Sequence, residues 1–136
     1  MGQIAILSGR YEIIHGGHVK TIRREAANYD RLIVYIVDRP DRPYPGVWAK
    51  ELLEMACEPC GNVEFRLDAC HFGYASKSDI ERLPSHDVFL CGNPRVAGRL
   101  MSLGVKVKLI EETSGYSASD IEDGFLRQAL TSWGKE

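Results

Sequence analysis

Two histidines three residues apart, His15 and His18, share a short stretch with Gly9, Gly16 and Gly17: Ser8 to His18 reads S-G-R-Y-E-I-I-H-G-G-H. An imidazole can hydrogen-bond an anionic oxygen and carry positive charge beside it. Glycine lets the main chain approach a ligand closely. A helix start adds unpaired N–H groups and a partial positive charge, which suits a phosphate. The stretch follows an apolar run, Ile4-Ala5-Ile6-Leu7, and precedes an amphipathic segment, Val19 to Tyr29. With a helix beginning near Gly17, His15 and His18 fall on the same side of that anion site. The competing reading is a structural glycine turn with two surface histidines.

A second stretch, Thr113-Ser114-Gly115-Tyr116-Ser117-Ala118-Ser119-Asp120-Ile121, offers hydroxyls and N–H groups at another helix start. Read alone, Ser117 and Ser119 are helix caps, and Ser119 with Glu122 forms a capping box. A third stretch, Asp38 to Gly46 (D-R-P-D-R-P-Y-P-G), excludes helix and central strand through its prolines. Arg39 and Arg42 within it are candidates for ligand phosphates, or two solvated loop arginines.

These residues need elements to position them. Gln3 to Leu7, Arg31 to Val37, Asn62 to Leu67, Asp87 to Cys91 and Val105 to Ile110 read as strands. Helices are expected after His18, at Val47 to Cys57, at Val96 to Leu103 and at Asp120 to Ser132, with at most a short one at Ser78 to Leu83. Asp68 to Ser76 reads as irregular. Strands alternating with helices give an α/β domain with a five-stranded parallel sheet and helices on both faces. Right-handed crossovers favour a Rossmann-like order, 3-2-1-4-5. Ligands bind at the carboxyl edge where that order switches, so Ser8 to His18 is expected beside Gly92-Asn93-Pro94-Arg95.

The length of 136 residues suits one domain spanning 1–136. A net charge of -2 gives no global basic excess for nucleic acid or an anionic membrane. No signal-peptide pattern is visible, and no apolar run nears the roughly 20 residues of a membrane helix, so a cytoplasmic protein is expected. Four cysteines are present: Cys57, Cys60, Cys70 and Cys91. Cys57, Cys60, Cys70 and His71 could be assembled into a zinc site, but the spacing is not that of a finger. Reduced structural cysteines and no metal site are the reading carried forward.

The frame Gly9-Arg10-Tyr11-Glu12-Ile13-Ile14-His15-Gly16-Gly17-His18 resembles the G-x-F-x-x-x-H-x-G-H signature of the nucleotidyltransferase superfamily that includes the glycerol-3-phosphate cytidylyltransferases. Tyr11 replaces the usual Phe. Thr113, Gly115, Ser117, Ser119 and Ile121 match that family's R-T-x-G-I-S-T-T-x-I segment in type and spacing. Ala49 to Glu54 and Asp87 to Gly92 resemble it more loosely. The resemblance implies transfer of a nucleoside monophosphate, with CMP favoured, from a triphosphate to a phosphate or alcohol acceptor. Pyrophosphate leaves, and Mg²⁺ travels with the nucleotide. It assigns catalysis to His15 and His18. Nucleotide binding falls to Ser8, Gly9, Arg10, Tyr11, Gly17, Gly92, Asn93, Arg95, Thr113, Gly115, Tyr116, Ser117 and Ser119. Acceptor binding falls to Arg39, Arg42, Lys50 and Lys77, with the loops Arg39 to Tyr44 and His71 to Lys77 choosing the acceptor.

The family also implies a homodimer; Trp48, Phe72 and Trp133 are interface candidates, with core packing the commoner role. Gly9-Arg10-Tyr11 is similar instead to the G-R-F of nicotinamide mononucleotide adenylyltransferases, which keeps adenylyl transfer open. The departures are acidic: Glu112 stands where cytidylyltransferases have arginine, and Glu122 where related adenylyltransferases do. An acidic group near a polyphosphate repels it, so a nucleotide-binding domain of weakened catalysis is a further reading. Arg95, Arg99 or Lys77 would be the substitutes for the missing arginine.

Overall fold

Alternation along the strands decides which side chains meet which layer, because successive residues of a strand point to opposite faces. The computed structural model describes residues 2–11, 14 and 16–111. Its strands are β1 (Ile4–Gly9), β2 (Arg31–Val37), β3 (Val63–Asp68), β4 (Val88–Cys91) and β5 (Val107–Leu109). Its helices are α1 (Gly16–Ala26), α2 (Gly46–Cys57), α3 (Lys77–Glu81) and α4 (Pro94–Ser102). The strands form one sheet in the order β3-β2-β1-β4-β5, and every pairing is parallel. This is the expected five-stranded Rossmann-like topology.

Ala5, Leu7, Leu32, Val34, Ile36, Val88 and Leu90 point to one face, where they pack with Val19 and Ile22 of α1 and Leu52 and Leu53 of α2. Ile6, Ile33, Tyr35 and Phe89 point to the other, against Phe72, Ala75 and Leu100 of α4. Covered on both faces, β1, β2 and β4 read as continuous apolar runs. The edge strand β3 differs. Its Glu64 accepts hydrogen bonds from Arg66 and Arg31, which together hold the carboxyl below its usual range, Arg66 foremost. Charges on an edge discourage pairing with another chain.

Several boundaries moved. β1 runs past Leu7 through Ser8 and Gly9, because β2 extends far enough to pair Ser8 with Tyr35 and Gly9 with Ile36. α4 begins at Pro94 rather than Val96: the Asn93 side chain accepts the Arg95 N–H at 2.9 Å, and the preset φ of proline suits the first helical position. β5 is shorter than Val105 to Ile110. In the stretch expected to be irregular, Phe72–Tyr74 makes one 3₁₀ turn. Phe72 is buried there between the rings of Tyr35 (5.7 Å) and Phe89 (5.3 Å), so it serves the core. Trp48 is exposed and stacks on Tyr44 at 6.4 Å. The expectations for His15, Glu112, Thr113, Gly115, Tyr116, Ser117, Ser119, Glu122, Trp133 and the last helix lie outside the described residues.

Phe89 is completely buried on β4. Phe89→Ala should cost about 3–5 kcal/mol. Urea unfolding is expected to show a lowered midpoint at an unchanged slope.

Candidate functional site

β1 and β4 are neighbours, but the chain leaves them toward opposite faces: from β1 to α1, and from β4 to α4. Their carboxyl ends therefore diverge and open a cavity of about 190 Å³. Ser8, Gly9 and Arg10 line it from the β1 side, and Gly92 and Asn93 from the β4 side. These are the residues that the switch-point argument brought together. The Asn93 side chain is occupied at the α4 cap, and the main-chain carbonyl of Asn93 accepts the Cys91 thiol at 3.2 Å. Arg95 is exposed on the first turn of α4.

The turn after β1 is unusual at Tyr11, whose φ of 47° is in the left-handed region. A bulky residue rarely stays there unless its surroundings hold it. The Tyr11 ring is folded back over Gly9: a Cβ on Gly9 would lie 2.7 Å from Tyr11 Cε2. The same ring meets His18 edge-on, with centroids 5.0 Å apart and planes at 80°. His18 is half-buried in the first turn of α1, next to the buried Gly17. No acidic residue occupies that turn, so the turn itself adds no negative charge to the positive end of the helix.

The sequence expectation gave Arg42 to a ligand phosphate, and in the structure its partners are main-chain carbonyls. Its guanidinium is hydrogen-bonded to the carbonyls of Val37, Tyr11, Tyr44 and Arg10, the first three at 2.8, 2.9 and 3.1 Å. It is engaged by main chain and has little donor capacity left for a phosphate. Arg39, from the same loop, is exposed and makes no ion pair among the described residues. It lines two open cavities, one of about 450 Å³ along the proline loop and one of about 480 Å³ beyond β3. Lys50 is paired with Glu54 on α2 at 3.1 Å. Lys77 is exposed at the start of α3.

His71 lines both the cavity between β1 and β4 and the larger one beyond β3. Its Nδ1 accepts the Gly73 N–H at 3.1 Å, so the neutral ring carries its proton on Nε2. Sequence reasoning had His71 in an acceptor loop and as a metal candidate; its position between two cavities follows from the end of β3, which only the assembled sheet defines. In the larger cavity Arg82 bridges Asp79 (2.8 Å) and Asp68 (3.3 Å). The Ser76 backbone N–H foremost, then Arg82 and the Ser76 hydroxyl, hold the Asp79 carboxyl down at about 2. Arg39 is the lining cation that makes no ion pair among the described residues; with Arg82 it balances the formal charge of Asp68 and Asp79.

The zinc alternative is not assembled. Cys57 and Cys60 pack on the α1–α2 face of the sheet, and Cys70 on the opposite face. Burial, then the nearby Cys60, pushes the Cys57 thiol up to about 12; burial, then Asp79 and Asp68, pushes Cys70 up to about 11. Both are protonated near neutrality and poor ligands or nucleophiles. Among the described residues no three His, Cys, Asp or Glu side chains converge as a metal site.

Gly9→Ala should drive the Tyr11 ring away from His18. A cost of about 1–3 kcal/mol is expected, as for overpacking elsewhere. Urea titration and the tyrosine fluorescence of the folded protein measure it.

No protein-family model matches the sequence, and no curated protein matches it. In structure the chain is similar to a bifunctional NMN adenylyltransferase/ADP ribose pyrophosphatase from Francisella tularensis, with a TM-score of 0.66 and 14% identity over 94% of this chain. A second structure of that protein, complexed with AMP and a Mn ion, gives 0.65 and 14% over 93%. The chain spans 43% and 42% of the length of those two. It is also similar to the lipopolysaccharide core biosynthesis protein from Thermoplasma volcanium GSS1, with a TM-score of 0.58 and 18% identity over 86% of this chain and 100% of that one. Strand order, layers and these likenesses agree on the fold: the chain is Rossmann-like, with a five-stranded parallel sheet.

Proposed function

We propose that this protein is a nucleotidyltransferase that uses a nucleoside triphosphate, with CTP favoured, and a phosphate-bearing acceptor. The observation that carries the reading is the cavity between β1 and β4, lined by Ser8, Gly9, Arg10, Gly92 and Asn93, at the edge where β1 ends and the chain runs on toward α1. An acceptor oxygen attacks the α-phosphorus, the bond from that phosphorus to the bridging oxygen breaks, and pyrophosphate leaves. Such a reaction asks for positioning and charge stabilisation, not for a covalent intermediate. The main chain at Gly9, Arg10 and Tyr11 is suited to the nucleotide phosphates, with Gly17 allowing close approach. His15 and His18 hydrogen-bond phosphate oxygens as charge develops. Ser117 and Ser119 take the β- and γ-phosphates, and Thr113, Gly115 and Tyr116 complete the nucleotide-binding segment. Mg²⁺ arrives on the triphosphate and needs few protein ligands. A homodimer in the cytoplasm is part of the same reading.

Arg39 supports an anionic acceptor, since it is an exposed cation with no ion pair among the described residues, in the cavity that shares His71 with the nucleotide side. Lys77 is a second cation for that acceptor, and the Nε2–H of His71 is a donor toward its attacking group. Adenylyl transfer is the second reading. Gly9-Arg10-Tyr11 favours it, and so does the structural neighbour complexed with AMP.

The test is pyrophosphate release with CTP, ATP, GTP and UTP, each with Mg²⁺. The acceptor panel holds glycerol phosphates, sugar phosphates and nicotinamide mononucleotide, with the dephosphorylated counterpart of each. One triphosphate is expected to be preferred, and the phosphorylated acceptors to exceed their counterparts. His18→Ala should lower the rate by about 10²–10⁴-fold, in line with loss of a positioned transition-state group, while the thermal midpoint holds. Triphosphate binding without pyrophosphate release for any acceptor would replace this reading with the binding domain that Glu112 and Glu122 favour.

A further inference from the structure

Arg42 grips three separate pieces of chain. Its Nη1 donates to the carbonyl of Val37 at the end of β2 (2.8 Å) and to that of Arg10, its Nη2 donates to Tyr11 in the turn after β1 (2.9 Å), and its Nε donates to Tyr44 in its own loop (3.1 Å). The planar fork of a guanidinium can serve several acceptors at once; an ammonium on a flexible stem cannot reproduce that arrangement. The residue it grips is the one non-glycine residue among those described with a left-handed backbone, Tyr11 at φ 47°. Tyr11 in turn covers Gly9 and meets His18 at 5.0 Å.

We infer that Arg42 is a positioning residue for the nucleotide site: it holds Tyr11 in its left-handed conformation, and the Tyr11 ring sets the place of His18. The effect on turnover rests on the nucleotidyltransferase reading; the linkage from Arg42 through Tyr11 to His18 exists in the ligand-free protein and is testable there. It is distinct from direct recognition of a phosphate. An arginine that touches only the ligand leaves His18 unaltered when removed, and lysine replaces much of its charge.

The experiment records the ring ¹H–¹³C correlations of His18 in the ligand-free protein for the wild type, Arg42→Lys and Arg42→Ala. His18→Gln supplies the assignment, and Phe72 and Phe89 serve as reporters of the core. Tyr11 stands edge-on to His18, so loss of that contact changes the ring-current shift. Both variants are expected to move the His18 signals while the Phe72 and Phe89 signals stay. Arg42→Lys should recover little of the wild-type position. In turnover both variants should lose about 100-fold in kcat, as for an ångström-scale misplacement, with a smaller change in KM for the triphosphate.

Unmoved His18 signals in the folded variants overturn the inference, and so does full recovery by lysine. Should Arg42→Ala fail to fold, Arg42→Lys alone decides. A wild type that releases no pyrophosphate defeats the functional reading, and the His18 shift still decides this one.

Discussion

The constraint on which the structure depends is the central place of β1, hydrogen-bonded to β2 on one side and β4 on the other. Parallel neighbours need crossovers, and right-handed crossovers starting in opposite directions from the sheet centre must cover opposite faces. α1 and α2 therefore pack on one face, and α4 with the Phe72 turn on the other. The turn after β1 and the turn after β4 cannot fill the same space, and the cavity between them is the result. Gly9, Gly73, Gly92, Ser8 and the Asn93 cap line it beside Arg10, Val37, His71, Phe72, Cys91 and Val96, so main chain faces part of the opening. That is the property a phosphate site needs.

The proline-rich loop after β2 divides its two arginines. Asp38 anchors the loop's far end by accepting the Gly46 N–H at 3.1 Å, and Arg42 anchors its middle to the turn after β1. Arg39 is left facing the open side, toward the cavities beyond β2 and β3. One arginine thus braces the turn after β1 while the other lies at the open side of the loop. Because proline fixes φ at three positions in this short loop, the arrangement costs less chain entropy than it would in a freely rotating segment.

Much of the fold was legible in the sequence. The apolar runs Ile4 to Leu7 and Leu32 to Val37 needed no tertiary information to be read as strands, and the sheet order followed from crossover handedness. The pairing of Ser8 to Arg10 with Gly92 and Asn93 at one edge was legible for the same reason. The roles of Arg39 and Arg42 were not. They have the same local composition and differ only in which carbonyls surround them, a property of three converging chain segments. The cysteines teach a similar lesson: Cys57 and Cys70 are thirteen residues apart by number but lie on opposite faces of the sheet, so sequence spacing alone overstated their chance of meeting. The left-handed turn at Tyr11 was also invisible in the sequence, because tyrosine carries no intrinsic preference for it.

The most direct test of the central claim, that the opening between β1 and β4 holds a nucleoside triphosphate, is a backbone amide ¹H–¹⁵N titration with CTP and with ATP in the presence of Mg²⁺. Saturable shifts, largest at Ser8, Gly9, Arg10, Gly92 and Asn93, are the predicted result for at least one of the two. Absence of saturable shifts with either, or shifts confined to a distant surface such as Val47, Trp48 and Met55 on the exposed side of α2, would contradict it.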